Sequence, residues 1–227
     1  PQPGALDDDT GPFDDYTANE KGYTGYAQLR YGFDAGDIPI DGAIGIRAIK
    51  TKFKLDSVVL NEGTISPLSV KNDYTDYLPN VSIRARLTPE LQVRAAYTET
   101  RKRPDFSQLS PGLRLDPPPG PGQVPTGSGG NPFLRPILSD NYDVSIEYYF
   151  ARTGFAALAF FPRNFSNFII NSAEVQDIPG VGEVLISGPV NSDKGRLQGI
   201  EAQFRTFFDF GGLPDWLSGF GTEVNVT

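Results

Sequence analysis

Apolar and polar residues alternate along much of the chain, which is the pattern of strands with one apolar side. Between Val81 and Ala85, for example, Ser82 and Arg84 separate the apolar side chains. Segments with this period of two predict eight strands, at about 22–33, 41–53, 78–87, 91–101, 141–150, 154–169, 197–208 and 219–227. Such strands are typical of antiparallel sheets that are apolar on one face only.

The connections between these strands alternate in length. Short connections fall at about 34–40, 88–90, 151–153 and 209–218, and long ones at 54–77, 102–140 and 170–196. Outer-membrane barrels have tight turns at one end and extended loops at the other. A soluble sandwich has no reason to sort its loops in this way. The sequence therefore predicts an all-β fold, a segment of a transmembrane antiparallel β-barrel with about eight strands, in which 102–140 is a long extracellular loop.

One hairpin allows its register to be predicted. If residues 88–90 form a three-residue turn, Leu87 pairs with Leu91 and the apolar side chains of both strands share one face. The same register places Arg84 opposite Arg94, which is destabilising unless water, acidic neighbours or a plug offset the repulsion. A polar lumen provides that setting.

The sixth strand is the least regular. It is apolar on both faces between 156 and 161, so its facing cannot be assigned from the pattern. Pro162 interrupts it and predicts a bulge or an end to regular pairing.

Charged residues recur on the polar side of the strands. We expect seven of them to face the lumen: Arg47, Arg84, Arg86, Arg94, Glu147, Glu201 and Arg205. We favour the interpretation that they form a hydrated wall or contact a plug. The alternative, that some of them steer an anionic substrate, stays open.

Aromatic residues gather beside the short turns. In a barrel they would form a girdle at headgroup level on the periplasmic side. The members of this predicted girdle are Tyr31, Phe33, Tyr148, Phe150, Phe208 and Trp216. A hydrophobic end-cap of a soluble sandwich is the alternative.

Composition excludes several classes of function. The chain has no cysteine and no histidine, which removes thiol chemistry, His-based triads and the usual zinc sites. Its net charge of −8 argues against nucleic acid as a partner. We find no catalytic site, no metal site and no run of 18 apolar residues that would form a transmembrane helix. We predict that the protein is not an enzyme.

Three motifs resemble one family. The segment 100–109 (TRKRPDFSQL) is similar to the "S-x-x-x-R-P-x-F-x-x-L" segment of TonB-dependent outer-membrane receptors. The segment 130–136 (GNPFLRP) resembles their "G-N-P-x-L-K-P" stretch, and Gly199-Ile200-Glu201 resembles their "G-x-E" strand. The motifs occur in the family's order. Two departures are Arg135, where Lys is common, and Pro162, where the family's strand usually has a hydrogen-bonding residue.

The resemblance implies the middle to C-terminal part of a 22-stranded barrel. We expect residues 1–227 to be part of a longer chain whose plug domain, TonB box and C-terminal strands lie outside them. The implied function is the import of a scarce nutrient, such as siderophore-bound iron, a vitamin or an oligosaccharide, with energy from the TonB complex. The implied partners are outer-membrane lipid, the receptor's own plug domain, TonB and the small-molecule nutrient. The implied location is the outer membrane of a Gram-negative bacterium, and no cofactor is implied.

The first motif contains the candidate ligand-binding residues at the extracellular mouth: Arg101, Lys102, Arg103 and Asp105. For Arg103, Pro104 and Phe106 we favour a structural role, in which they fold the start of the long loop back onto the barrel. Two other classes remain open for the whole protein. One is a passive outer-membrane porin or channel, and the other is a soluble β-sandwich that binds carbohydrate.

Overall fold

The computed structural model describes residues 16–61, 64–118, 120–150, 153–178, 182–192, 194–208, 214, 216 and 219–227. Within these residues the chain forms fourteen β-strands and a short 3-10 helix, Phe106–Leu109. No helix in the described part is long and apolar enough to cross a membrane. The strands are β1 Thr17–Ala35, β2 Ile38–Asn61, β3 Thr64–Arg86, β4 Leu91–Lys102, β5 Leu113–Asp116, β6 Thr126–Gly129, β7 Ile137–Phe150, β8 Gly154–Phe160, β9 Arg163–Ser166, β10 Phe168–Ile178, β11 Gly182–Ser192, β12 Gly195–Leu197, β13 Ile200–Phe207 and β14 Gly221–Val226.

Eight antiparallel strands in a row form a wall. Their order is β1, β2, β3, β4, β7, β8, β13 and β14, and β9 and β12 continue β8 and β13 beyond Pro162. This wall confirms the predicted fold class. The remaining strands, β5, β6, β10 and β11, lie in connections that the sequence pattern had predicted as loops.

The predicted hairpin register is confirmed. The backbone N–H of Leu87 donates to the carbonyl of Leu91 at 2.9 Å, and Ile83 lies opposite Ala95. The hydroxyl oxygen of Thr88 accepts the backbone N–H of Leu91 at 3.0 Å, which closes the turn from within.

Each face of the wall has its own chemistry, as two neighbouring rows of paired residues show. The first row is apolar and crosses all eight strands: Phe33, Ile40, Ala85, Val93, Ile146, Leu158, Ala202 and Val226. The next row points to the opposite side: Gly32, Asp41, Arg84, Arg94, Ser145, Ala159 and Glu201. We call the side of the first row the outer face and the other side the inner face. The outer face leaves its large side chains uncovered, among them Leu158 and Val226, as a surface against lipid requires.

The prediction of a loop at 54–77 was wrong, because β2 and β3 continue as a paired ribbon to Asn61 and Thr64. The pattern changes phase where the environment changes. The outer face of β2 carries Ile46 and then Lys52, whereas its inner face becomes apolar and buried at Phe53. The apolar side chains thus move from the outer face to the inner face within one unbroken strand, which interrupts the alternation near 53. In the sequence such an interruption cannot be distinguished from the end of a strand, so the predicted strand ended there.

The other long connections also contain strands. The segment 170–196 contains most of the β10–β11 hairpin, in which Phe168 pairs with Ser192. The segment 102–140 contains the 3-10 helix, the β5–β6 hairpin and the start of β7. The first twenty residues are acidic and rich in Pro and Gly, a composition that predicts a loop. Residues 1–15 lie outside the described residues, and β1 already begins at Thr17.

Pro162 ends regular pairing, as predicted, but it causes no bulge. Pairing between β7 and the sixth wall strand stops at Val144 with Phe160 and resumes at Asn141 with Arg163. Two residues are skipped on each strand, so the register is unchanged. The pairing also settles the facing of this strand, because Leu158 lies on the outer face and Ala159 on the inner face.

The buried core lies in the connections. Residues 103–136, which we call the bridging segment, place the β5–β6 hairpin between two ribbons: β5 runs parallel to β2, and β6 runs parallel to β11. One buried cluster contains Phe53, Leu55, Leu109 and Leu134, and a second contains Leu113, Leu115, Val184 and Ile186. The bridging segment therefore joins the β2–β3 ribbon to the β10–β11 ribbon through a packed apolar interior.

Candidate functional site

The opposed arginines of the β3–β4 hairpin have acidic neighbours from other strands. Arg84 donates to both carboxylate oxygens of Asp41, at distances from 2.8 to 3.1 Å, and Arg86 reaches the same carboxylate at 3.3 Å. On the other side, Arg94 forms an ion pair of 3.0 Å with Glu147. The repulsion that the register implied is thus offset by carboxylates on β2 and β7.

Glu147 is the centre of this inner-face network. Its carboxylate accepts hydrogen bonds from Gln92, from the hydroxyl of Tyr149 at 2.8 Å and from the hydroxyl of Ser145 at 3.2 Å, besides pairing with Arg94. The side chain is only 14% exposed. A carboxylate with this many donors is saturated, so Glu147 holds the wall together and offers little to a ligand.

Three of the seven predicted lumen residues are outside this network. Arg47 and Arg205 have no hydrogen-bond or ion-pair partner among the described residues, and Glu201 has only a 3.5 Å contact with the hydroxyl of Thr227. By register all seven residues share the inner face. Arg47 also lines a cavity of 460 Å³ that opens where β3 and β4 separate, beside Asn80.

The four candidate ligand-binding residues have different surroundings. Arg101 forms an ion pair with Asp76, both side chains being at most 13% exposed, and also donates to the hydroxyl of Thr51 at 3.4 Å. Arg103 forms an ion pair with Glu20 of β1. These contacts tie the start of the bridging segment to the wall.

The other two candidates, Lys102 and Asp105, are exposed. The backbone N–H of Asp105 donates to the side-chain oxygen of Gln108, which begins the 3-10 helix. The hydroxyl of Tyr16 donates to the carbonyl of Phe106 and fixes the same turn to the start of β1. Of the four candidates, therefore, Lys102 and Asp105 are the two that form no ion pair among the described residues.

The motif at 130–136 latches the bridging segment to both ribbons. The backbone N–H of Asn131 donates to the carbonyl of Gln108 at 2.7 Å, and its side chain donates to the carbonyl of Pro189 at 3.2 Å. Asn191 accepts the N–H of Arg135 at 2.8 Å and donates to its carbonyl at 3.0 Å. Within the motif, Leu134 is fully buried against the cluster around Phe53.

A cavity of 530 Å³ lies between this motif and β3. Its lining includes Asp73, Asp76, Phe133, Arg135 and Asn167. The Arg135 side chain is exposed, and Phe133 is 62% exposed, so both reach out beside the opening. The lining thus combines acidic, basic and aromatic side chains.

The predicted aromatic girdle lies at the end of the wall with the short turns. Tyr31 and Phe33 stack at 6.3 Å between ring centroids, and Tyr148 and Phe150 at 5.7 Å. Phe150 stacks in turn on Phe204 at 5.7 Å, a member that the sequence pattern missed. The remaining predicted members are Phe208, which is half-buried, and Trp216, which is 70% exposed and meets Phe220 edge-on.

A second aromatic row lies on the outer face at the other end. It contains Tyr23, Tyr77, Tyr97 and Tyr142, and the last two rings are 5.0 Å apart. From Phe33 to Tyr23 a strand rises about 33 Å, which is roughly 25 Å of height at a tilt of about 40°. That height matches the apolar band of an outer-membrane barrel, about 25 Å tall. Tyr23, Tyr97 and Tyr142 lie within predicted strands, but Tyr77 lies just outside the predicted third strand, so the row was not apparent from the sequence pattern.

No group of three or more Asp or Glu side chains in the described part of the chain is placed to hold a metal ion. The apolar outer face, the charged inner face and the two aromatic rows together define the wall of a transmembrane β-barrel.

Comparison with known proteins identifies the family. The family model for the β-barrel of TonB-dependent receptor-like proteins matches residues 1–227. The chain therefore belongs to the TonB-dependent receptors, and its sequence forms part of their barrel.

The chain is also similar to solved structures, of which the first below supports the fold. The copper transporter OprC superimposes with a TM-score of 0.54 at 18% identity, over 83% of this chain and 26% of that protein. The siderophore receptor PirA from Acinetobacter baumannii gives 0.49 at 14%, over 86% of this chain and 35% of that protein. A ferric enterobactin receptor (PfeA) mutant from Pseudomonas aeruginosa, in complex with enterobactin, gives 0.48 at 18%, over 86% and 34%. The chain spans about a quarter to a third of these proteins, and no curated protein sequence matches it.

Proposed function

We propose that this chain is the wall segment of an outer-membrane transporter that imports a scarce nutrient with energy from the TonB complex. The observation that carries the proposal is that one sheet has an uncovered apolar face and a charged opposite face. A sheet of this kind must close with further strands, because an unpaired edge in lipid leaves backbone groups without partners. The family supplies the link to TonB.

The charged residues of the inner face fall into two groups with different proposed roles. Asp41, Arg84, Arg94 and Glu147 neutralise one another and form the wall. Arg47 and Arg205 keep their charges free of partners in the described residues, so they are among the inner-face groups that would meet a plug or an anionic substrate. Lys102 and Asp105 would meet the substrate at the extracellular mouth.

The nutrient belongs to one of three classes: siderophore-bound iron, a vitamin or an oligosaccharide. The test is growth of a deletion strain under iron limitation, under vitamin limitation and on single carbon sources, with the full-length gene restored as the control. We expect one condition to show a growth defect that the restored gene corrects. Equal growth of the deletion strain and its parent in every condition would contradict the proposal.

A passive channel would share the same wall, and conductance separates the two functions. The full-length protein in a planar bilayer is expected to show no steady open pore, because a plug domain closes the lumen of such receptors. A stable conductance of the size of a porin's would favour the passive channel instead.

A further inference from the structure

The cavity of 530 Å³ beside the motif at 130–136 lies where a strand of the wall ends. In the wall, β4 separates β3 from β7, but β4 ends at Lys102. Beyond that level β3 extends to its first residue, Thr64, and no described strand pairs with it on that side. The lining comes from residues 72–76 of β3, from the motif and from the start of β7. The cavity therefore occupies the space that a longer β4 would fill.

The lining contains residues from both faces of the wall. By register, Thr75 and Leu138 belong to the outer face and Asp76 to the inner face. The two sides of the cavity are joined, because the side-chain amide of Asn72 donates to the carbonyl of Pro132 at 3.0 Å. The cavity thus lies between strands at the rim of the wall, with its sides already held together.

The charged groups of the lining are unequally matched. Asp73 forms an ion pair of 3.6 Å with Lys50, and Asp76 forms its ion pair with Arg101. The guanidinium of Arg135 has no hydrogen-bond or ion-pair partner among the described residues, and only its backbone is bonded. Because the carboxylates already have cations and Arg135 has no anion, the unmet charge of the cavity is positive. A ligand that matches this cavity therefore carries an anionic group.

Arg135 is held in place for such a role. Asn191 binds its backbone N–H at 2.8 Å and its carbonyl at 3.0 Å, and the flanking Leu134 and Pro136 are buried. The root of the side chain is thus fixed, although the side chain itself is exposed. Arginine stands here where the family commonly has lysine. Its planar fork, unlike an ammonium group, pairs with both oxygens of a carboxylate at once.

Two further kinds of contact are available in the lining. The hydroxyl of Tyr74 is the one buried side-chain N or O atom in the described part of the chain without a hydrogen-bond partner. A buried donor of this kind costs stability unless an acceptor reaches it. Phe133 is 62% exposed beside the opening, and Leu138 adds apolar surface. An aromatic ring packs well against such surfaces.

We propose that this cavity binds a small molecule in which a carboxylate is attached to an aromatic ring. The carboxylate pairs with Arg135 and accepts a hydrogen bond from Tyr74, and the ring packs against Phe133. The proposal goes beyond the proposed function, because binding at the rim requires neither the plug domain nor TonB.

The test is a ligand-detected NMR titration of the full-length receptor in detergent. The probe is benzoate, and two matched compounds separate its parts: benzamide keeps the ring without the charge, and acetate keeps the charge without the ring. We expect saturable binding of benzoate. Both matched compounds should bind at least about 10-fold more weakly, because one lacks the charged hydrogen bonds and the other lacks the ring contact.

Variants of Arg135 test the anion contact. Arg135→Gln should weaken binding of benzoate about 30-fold, because it removes both the charge and the fork. Arg135→Lys keeps the charge but not the fork, so a loss of about 5-fold is expected. Arg114→Gln is the matched control and should bind as the wild type does, because Arg114 is an exposed arginine of the same bridging segment that does not line the cavity.

Tyr74→Phe tests the second donor. Binding of benzoate should fall about 5-fold, because one hydrogen bond to the carboxylate is lost. The denaturant midpoint should not fall, since the substitution removes a hydroxyl that has no partner. A lower midpoint with unchanged binding would contradict the role of Tyr74 in the site.

Three results would overturn the proposal. They are the absence of saturable binding of benzoate by the wild type, equal binding of benzamide, and unchanged binding of benzoate by Arg135→Gln. An equal loss in Arg114→Gln and Arg135→Gln would count against it in the same way. The titration contains no uptake step, so a failure here and a failure of the import function are distinguishable.

Discussion

Leu134 offers the sharpest test of the bridging segment, because it is fully buried in the centre of the motif at 130–136. Leu134→Ala removes the side chain that fills the space between Phe53, Leu55 and Leu109. Substitutions of this kind cost about 3 kcal/mol when the cavity cannot collapse. The cost falls on the attachment of the bridging segment, since the wall strands below are paired independently of it.

Hydrogen exchange in the full-length receptor measures this effect. The amides of Asn131, Leu134 and Arg135 are hydrogen-bonded to Gln108, Asn131 and Asn191. In Leu134→Ala, peptides that cover 126–136 should exchange about 100-fold faster, because 1.4 kcal/mol corresponds to a factor of ten. Peptides from the β3–β4 hairpin should be unchanged.

Phe133→Ala is the matched control, because its side chain is 62% exposed in the same motif. It should leave exchange at 126–136 close to that of the wild type. Unchanged exchange in Leu134→Ala, or equal acceleration in both variants, would refute the role of Leu134 as the anchor.

Three further predictions concern the wall and its closure. Gly42→Val should prevent assembly of the full-length barrel, because a Cβ there would lie 2.0 Å from the carbonyl oxygen of Ser82 and 2.5 Å from the hydroxyl of Tyr31. The assay is loss of the heat-modifiable band on gels. Gly25→Val is the control and should assemble, because a Cβ at Gly25 meets open space. Glu147→Ala should lower the denaturant midpoint of the full-length receptor, because it leaves Arg94 opposite Arg84 without a carboxylate partner. Glu201→Ala, the control, should lower the midpoint much less. Equal midpoints for the two variants would contradict the central place of Glu147 in the inner-face network. Ser128→Cys with Ser187→Cys should form a disulfide on oxidation, since these residues pair directly on β6 and β11, while Ser128→Cys with Ser172→Cys, about 10 Å apart across two strand spacings, should not.

The wall was predictable because its strands keep one environment on each side for about ten residues. Val81 to Ala85 shows this, as does the hairpin at 88–90, whose short turn leaves one register that keeps the apolar side chains together. The row from Phe33 to Val226 then follows from pairing neighbours in order. The facing of the sixth strand did not follow, since Ala157 and Ala159 are as apolar as Leu158 and only the pairing with β7 distinguishes them.

The ribbons were not predictable from one period, because the surroundings of β2 change between Ala48 and Phe53. Beyond the apolar band the outer face meets water and carries lysine, while the inner face meets the bridging segment and becomes apolar. When the apolar side chains change from one face of a strand to the other, the sequence pattern is the same as that of two separate segments. A search for period-two patterns that continue with opposite phase would have found it.

The charge partners were missed for a related reason. Asp41 lies on the polar side of a predicted strand, but its contact with Arg84 depends on the register between β2 and β3. That register is set by the ribbon that had been predicted as a loop. Asp76 was hidden in the same way, so the burial of Arg101 in an ion pair could not be inferred from the motif that contains it.

Dependence of uptake on TonB is the most direct test of import by this receptor. The measurement is the initial rate of uptake of the nutrient identified by the growth screen, at a low external concentration, in cells with and without TonB. The proposed function predicts rapid uptake with TonB and a rate near that of the receptor deletion without it. Equal rates in the two strains would contradict energised import and leave a passive channel as the function of this wall.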